Sequence, residues 1–157
     1  MRSLILYYSY SGNTKEVAAY LCEYLKQRGE VDVVPLRALD EADSFFRQCR
    51  RAFWRKRAKV EPVNCDLDSY DLICFGSPVW AFAPAPAMNS CLDQVQNAQG
   101  KEIILFTTYG SGTGNNRCLN YMQRILASKG ARSFQRFSIQ QLKVRDQGFV
   151  KDRIQKA

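Results

Sequence analysis

The chain has 157 residues, 46% of them hydrophobic and 24% charged, and 23 Lys and Arg against 15 Asp and Glu give a formal net charge of +8. That length suits one domain spanning residues 1–157 with a real core, and the composition excludes a disordered, collagen-like or linker-dominated chain. No run of 18 apolar residues occurs, so no transmembrane helix is expected, while the charge excess by itself hints at an acidic or polyanionic partner.

In chain order, residues 3–8 form a short apolar and aromatic run suited to a strand buried on both faces. The stretch from Leu4 to Tyr8 is too short for a signal-peptide core, and a cytosolic location is expected. Residues 13–28 place Val17, Leu21 and Leu25 on one helical face, with Gly29 as a stop. Residues 31–36 are β-branched and contain Pro35, which suits a strand near a sheet edge. Over residues 40–59, Ala42, Phe45, Phe46, Cys49 and Phe53 share a helical face. Residues 71–77 repeat the buried-strand pattern. Residues 84–96 carry Met88, Cys91, Leu92 and Val95 at helical spacing, with prolines before them and Gly100 after. A further strand is expected over 102–108 and a helix over 115–129, which Gly130 ends. A last strand over 132–139 and a last helix over 145–156 complete the series. Five strands alternating with five helices imply an α/β fold, a parallel sheet with helices on both faces. Such sheets bind ligands beyond the carboxyl ends of the strands, where strand order reverses.

Two absences restrict the chemistry. The chain has no His, which removes Ser-His-Asp and Cys-His catalysis and His-ligated zinc. Its six cysteines, at 22, 49, 65, 74, 91 and 118, form no CxxC, so zinc, iron–sulfur and dithiol readings lack support. They read as small buried hydrophobes. No catalytic side chain and no metal ligand set is expected, and any chemistry must come from a bound cofactor.

Three loops then carry the argument. The first, Ser9-Tyr10-Ser11-Gly12-Asn13-Thr14, sets three hydroxyls, an amide and a Gly at a helix start. Unpaired N–H groups and the helix dipole suit a phosphate there, the plainer alternative being a helix capped by Ser or Asn. No GK[ST] follows, so it is not a nucleoside-triphosphate loop. The second, from Ser77 through Pro78, Val79, Trp80, Ala81 and Phe82 to Pro84, offers aromatics that are either a core lid or a stacking platform. The third runs through Thr108, Tyr109, Gly110, Ser111, Gly112 and Gly114 and again pairs an aromatic with Gly-rich backbone. A phosphate cradle and two aromatic loops on one rim suit a phosphorylated planar ring.

At these residues the sequence resembles the flavodoxin family. YYSYSGNTKEVA is similar to its phosphate loop, DLICFGSPVWAFAPAPAMNSCLD to its second flavin loop and the following helix, and KEIILFTTYGSGTGN to its third. The resemblance covers most of residues 3–130. It implies a flavodoxin-like, doubly wound five-stranded sheet of order 2-1-3-4-5 with non-covalently bound FMN. It further implies that Ser9, Ser11, Gly12, Asn13 and Thr14 hold the phosphate. Pro78, Val79, Trp80 and Ala81 would line one side of the isoalloxazine, with Thr108, Tyr109, Gly110, Ser111 and Gly112 around the other. Many electron-carrying members have a Gly after the aromatic, whose peptide flips toward the reduced ring. Ala81, Phe82 and Ala83 stand here instead, and a positive φ costs a non-Gly residue about 1 kcal/mol or more. A weakly populated one-electron-reduced flavin is therefore expected.

Residues 47–59, RQCRRAFWRKRAK, hold seven basic residues and no acid. The plain expectation is a second helix whose apolar stripe packs on the sheet with its charges solvated; membrane-surface, nucleic-acid and acidic-protein docking are the alternatives. Residues 60–100 carry five acids and no base, and residues 101–157 carry 11 bases and three acids. This polarity fits an acidic redox partner docking near Arg50, Arg51 and Arg55 better than it fits nucleic acid. The sequence thus supports an FMN-binding electron carrier between a reductase or ferredoxin and an acceptor. The alternative is an FMN-dependent NAD(P)H oxidoreductase acting on a quinone or other small substrate.

Overall fold

A computed structural model describes residues 1–40, 44–110 and 112–157. Three strands are almost wholly buried: β1 (Arg2–Tyr7), β3 (Leu72–Trp80) and β5 (Glu102–Tyr109). Each presents apolar side chains to both faces, as only a central parallel strand covered on both sides does. Leu4, Leu6, Ile73, Phe75, Ile103 and Leu105 point to one face. The intervening Ile5, Tyr7, Cys74, Ile104 and Phe106 point to the other. The flanking strands β2 (Glu30–Pro35) and β6 (Ser133–Gln140) are partly exposed, and Pro35 is tolerated because β2 is an edge.

The order is β2-β1-β3-β5-β6, with every neighbouring pair parallel. This is the expected doubly wound arrangement with one addition. The two-residue strand β4 (Ala83–Pro84) folds back antiparallel on the end of β3, pairing Trp80 with Ala83.

Helices α1 (Asn13–Lys26) and α5 (Gln147–Gln155) cover one face through Val17, Leu21, Leu25, Val150 and Ile154. On the other face, α3 (Pro86–Gln94) contributes Met88, Cys91 and Leu92, and α4 (Asn115–Ser128) contributes Leu119, Met122 and Leu126. Cys65, Cys74, Cys91 and Cys118 are buried, as the hydrophobe reading expects, whereas Cys22 and Cys49 are half-exposed. None of the described helices is long and apolar enough to cross a membrane.

The basic segment departs from expectation. Its helix, α2 (Phe45–Phe53), is only nine residues long, and the expected members 41–43, Ala42 among them, lie outside the described residues. Of the expected stripe, Phe45 meets the sheet only at Trp80 and Cys49 packs on the core, while Phe46 and Phe53 turn to solvent. Gln48 and Ala52 are the buried residues, whereas Phe46 is 79% and Trp54 68% exposed. The helix meets the core through the small Ala52, which belongs to the same buried cluster as Tyr8, Leu36 and Trp80. The Arg51 guanidinium holds this orientation by donating to the Asp40 carbonyl at 2.7 Å and its carboxylate at 2.8 Å.

Candidate functional site

Strand order reverses between β1 and β3, and there the three loops enclose a cavity of about 440 Å3. Ser11, Asn13 and Thr14 line it from the first loop, Pro78, Val79 and Trp80 from the second, and Thr108, Tyr109 and Gly110 from the third. Ser9, Gly12, Ala81 and Gly112 sit in the same loops but do not line the cavity, and Ser111 lies outside the described residues.

The first loop ends at Gly12, the residue preceding α1, with φ +90° and open space where a Cβ would stand. No side chain caps the helix, so its first N–H groups remain available to a ligand. The Ser9 hydroxyl oxygen is buried and has no hydrogen-bond partner among the described residues. A buried hydroxyl left unpaired costs about 1–3 kcal/mol. An anion at the α1 N-terminus is the species this set of donors suits. Asn13 Nδ2 donates to Ser11 Oγ at 3.2 Å, which keeps the Asn side chain over the loop. Thr14 and Thr108 share a buried hydroxyl–hydroxyl bond at 2.8 Å, which ties the first loop to the third. A hydroxyl that accepts one such bond still has its own proton to donate.

The second loop is set by its own backbone. The Ala85 N–H donates to Ser77 Oγ at 3.0 Å, and the same hydroxyl donates to the Pro78 carbonyl at 3.0 Å. Ala81 and Phe82 take φ of 48° and 65°, forming a two-residue hairpin turn with both central residues left-handed. Neither is Gly, and each such conformation costs about 1–2 kcal/mol. Phe82 is braced from α4: a Cβ on Gly114, itself at φ +98°, would collide with the Phe82 ring. The Arg117 guanidinium lies 6.0 Å from that ring's centroid. The turn thus adopts positive φ without the residue usually recruited for it.

Trp80 is 4% exposed and is gripped edge-on by three rings, Tyr8, Tyr10 and Phe45, each 5.6 Å away at interplanar angles of 81–89°. Tyr10, Phe45 and Gln141 also line the cavity, and sequence reasoning did not assign them to the site. Tyr10 lies inside the phosphate-loop motif, where its ring gives no sign of a role beside the Ser, Asn and Thr side chains suited to a phosphate. Phe45 belongs to the stripe expected to face the sheet, and Gln141, following β6, belongs to no motif. On the far wall, Gln140 donates to the Gly110 carbonyl at 3.3 Å and steadies the third loop.

No Asp, Glu, Lys, Arg or Cys is among the described residues lining the cavity. It can hold an anion on backbone dipoles and hydroxyls and a flat ring against aromatic and Gly backbone. Its described lining offers no charged general acid or base. Its chemistry must therefore reside in what it binds.

Residues 1–141 match the model of a family described as NADPH-dependent FMN reductase. No curated protein matches the chain significantly in sequence. Among solved structures, it is similar to a flavoprotein from Lactobacillus acidophilus NCFM determined in complex with FMN, at 23% identity and TM-score 0.69, over 94% of this chain and 98% of that one. It is also similar to flavodoxin 2 from Bacillus cereus, at 17% identity and TM-score 0.63, over 99% of both chains. A third likeness is to an azoreductase from Bacillus anthracis, at 13% identity and TM-score 0.59, over 99% of this chain and 96% of that one. At these identities the structures establish the shared fold.

Proposed function

The chain belongs to the NADPH-dependent FMN reductase family, and on that premise we propose that it is an FMN-dependent oxidoreductase that takes reducing equivalents from NADPH and passes them to a second acceptor. The observation that carries the reading is the cavity itself. It joins an uncapped helix N-terminus, preceded by the loop that carries the unpaired Ser9 hydroxyl, to a slot between Pro78-Val79-Trp80 and Tyr109-Gly110. FMN is the cofactor, and when bound it supplies hydride-accepting and electron-donating chemistry.

This chain's residues bind, orient and shield. Ser9, Ser11, Asn13, Thr14 and the N–H groups after Gly12 would hold the phosphate. The Thr14–Thr108 bond fixes the distance between the phosphate and ring ends of the site. Trp80, held by its three aromatic neighbours, would exclude water from its side of the bound ring. Among the described residues lining the cavity there is no carboxyl, ammonium or imidazole, so protons that accompany the electrons would come from solvent.

The other reading, an electron carrier reduced only by a partner reductase, draws on the fold shared with flavodoxin 2. Anaerobic mixing of the FMN-loaded protein with NADPH, and separately with reduced ferredoxin, divides the two. Rapid bleaching by NADPH alone is expected. Reduction by ferredoxin but not by NADPH assigns the carrier role, and protein that neither purifies with nor binds FMN removes both readings.

A further inference from the structure

A second concavity, of about 630 Å3, lies on the outer side of α4 against β6 and is lined by Arg117, Asn120, Gln123, Arg124, Ala127 and Arg136. On the helix, Arg117, Asn120, Arg124 and Ala127 follow at i, i+3, i+7 and i+10 and so share a face. Arg136 reaches that face from β6, donating to Asn120 Oδ1 at 2.6 Å. Among the described residues, no carboxylate pairs with any of the three arginines. All three are exposed, and α4 contains no acidic residue.

The arrangement is electrostatically unfavourable in the protein alone. Arg117 stands in the first turn of α4, where the helix dipole is positive and a cation is disfavoured, and no acid offsets it. Three unpaired guanidinium groups around one groove also repel one another. An anion in the groove relieves both penalties, and a guanidinium presents the planar fork that takes a phosphate through two hydrogen bonds.

Position selects which anion. The groove lies on the helix that leads away from the flavin cavity: α4 begins directly after the third loop, and Arg117 in its first turn lies 6.0 Å from the ring of Phe82, in the turn that follows Trp80. From Gly114, the helix carries Arg124 about 15 Å away, a span on the scale of an extended dinucleotide. We propose that the α4–β6 groove binds the 2′-phosphate of NADPH, with Arg124 and Arg136 as its principal ligands and Arg117 along the path to the flavin. The proposal rests on the oxidoreductase reading and adds to it the basis for choosing NADPH over NADH. The phosphate is a specificity handle remote from the hydride, so no bond forms or breaks in the groove.

The test uses FMN-loaded protein and the variant Arg124→Gln/Arg136→Gln, whose exposed side chains make no core contacts. Two readouts are taken: KM for NADPH and for NADH, and calorimetric binding of adenosine 2′,5′-bisphosphate against adenosine 5′-monophosphate. The expected result is a rise of about a hundredfold in KM for NADPH, the equivalent of one charge-assisted hydrogen bond from each of the two guanidinium groups removed, with KM for NADH unchanged. The bisphosphate, and not the monophosphate, should bind the parent protein, and the variant should lose that binding. Equal changes for both nucleotides, undiminished bisphosphate binding by the variant, or no such binding by the parent would overturn the proposal. Flavin that neither nucleotide bleaches defeats the oxidoreductase reading instead. Bisphosphate binding lost in the variant then keeps the groove as a phosphate site on a protein of another role.

Discussion

Ser9 tests the flavin assignment with the smallest change. Its hydroxyl is one of three buried side-chain polar atoms without a partner among the described residues, the others being Ser3 Oγ and Asn89 Oδ1. Only Ser9 belongs to a loop of the cavity; Ser3 sits inside β1 and Asn89 inside α3. Removing an unpaired buried hydroxyl relieves a desolvation cost, so Ser9→Ala and Ser3→Ala should each raise the melting temperature of FMN-free protein, by up to about 1 kcal/mol of stability. They should part company on the ligand. Ser9→Ala should weaken FMN binding about fivefold, the worth of one hydrogen bond of about 1 kcal/mol, while Ser3→Ala leaves it unchanged. Fluorescence titration of FMN against both variants gives the answer. If Ser9→Ala binds FMN as well as the parent, the hydroxyl does not face the phosphate.

Among the elements, the β3–β4 hairpin was the least legible part of the site. Strands β1, β3 and β5 were readable because burial on both faces requires an almost continuous apolar run, and α1 and α4 because each begins just after a Gly and carries apolar residues at helical spacing. Ala81 and Phe82 have no such local signature. Their left-handed conformation is imposed by pairing across the turn and by the Phe82–Gly114 contact, both of which are tertiary. Periodicity likewise shows that α2 is amphipathic without showing which face is buried, so it does not reveal that Phe45 reaches past Trp80 to line the cavity. The hairpin also gives the redox expectation a structural form. The Ala81–Phe82 peptide is held between paired strands and already sits at positive φ on both sides, so reorienting it breaks the turn. A redox titration should show little one-electron-reduced flavin in the parent protein. Gly114→Ala, which must push Phe82 aside and carry a side chain at φ +98°, should cost about 1–3 kcal/mol in a thermal melt and weaken FMN binding as the turn shifts. A large one-electron population in the parent, or a Gly114→Ala protein as stable as the parent, would contradict this account of the turn.

Across the whole molecule, the charge is unevenly placed and unevenly used. Of the three arginines expected to meet an acidic partner, Arg51 is engaged in holding Asp40 and Arg55 lies 3.9 Å over the Tyr121 ring. Arg50 remains exposed on α2, near Phe46 and Trp54, so the surface it belongs to is both basic and aromatic. Structure and encounter can therefore be separated by single substitutions. Arg51→Gln removes a partly buried ion pair together with a bond to a backbone carbonyl, and should lower stability by about 1 kcal/mol or more. Arg50→Gln should leave stability within about 0.5 kcal/mol, as surface substitutions usually do. If an acidic electron-transfer protein docks on this face, Arg50→Gln should slow its second-order reaction with the flavoprotein and flatten the dependence of that rate on ionic strength, because a charge on the rim acts chiefly on encounter. Stopped-flow mixing with ferredoxin across a salt series measures both quantities. A rate and salt slope identical to the parent's would remove α2 from the docking surface and leave its positive charge as solvated scaffold, with the α4–β6 groove as the basic feature still tied to a ligand.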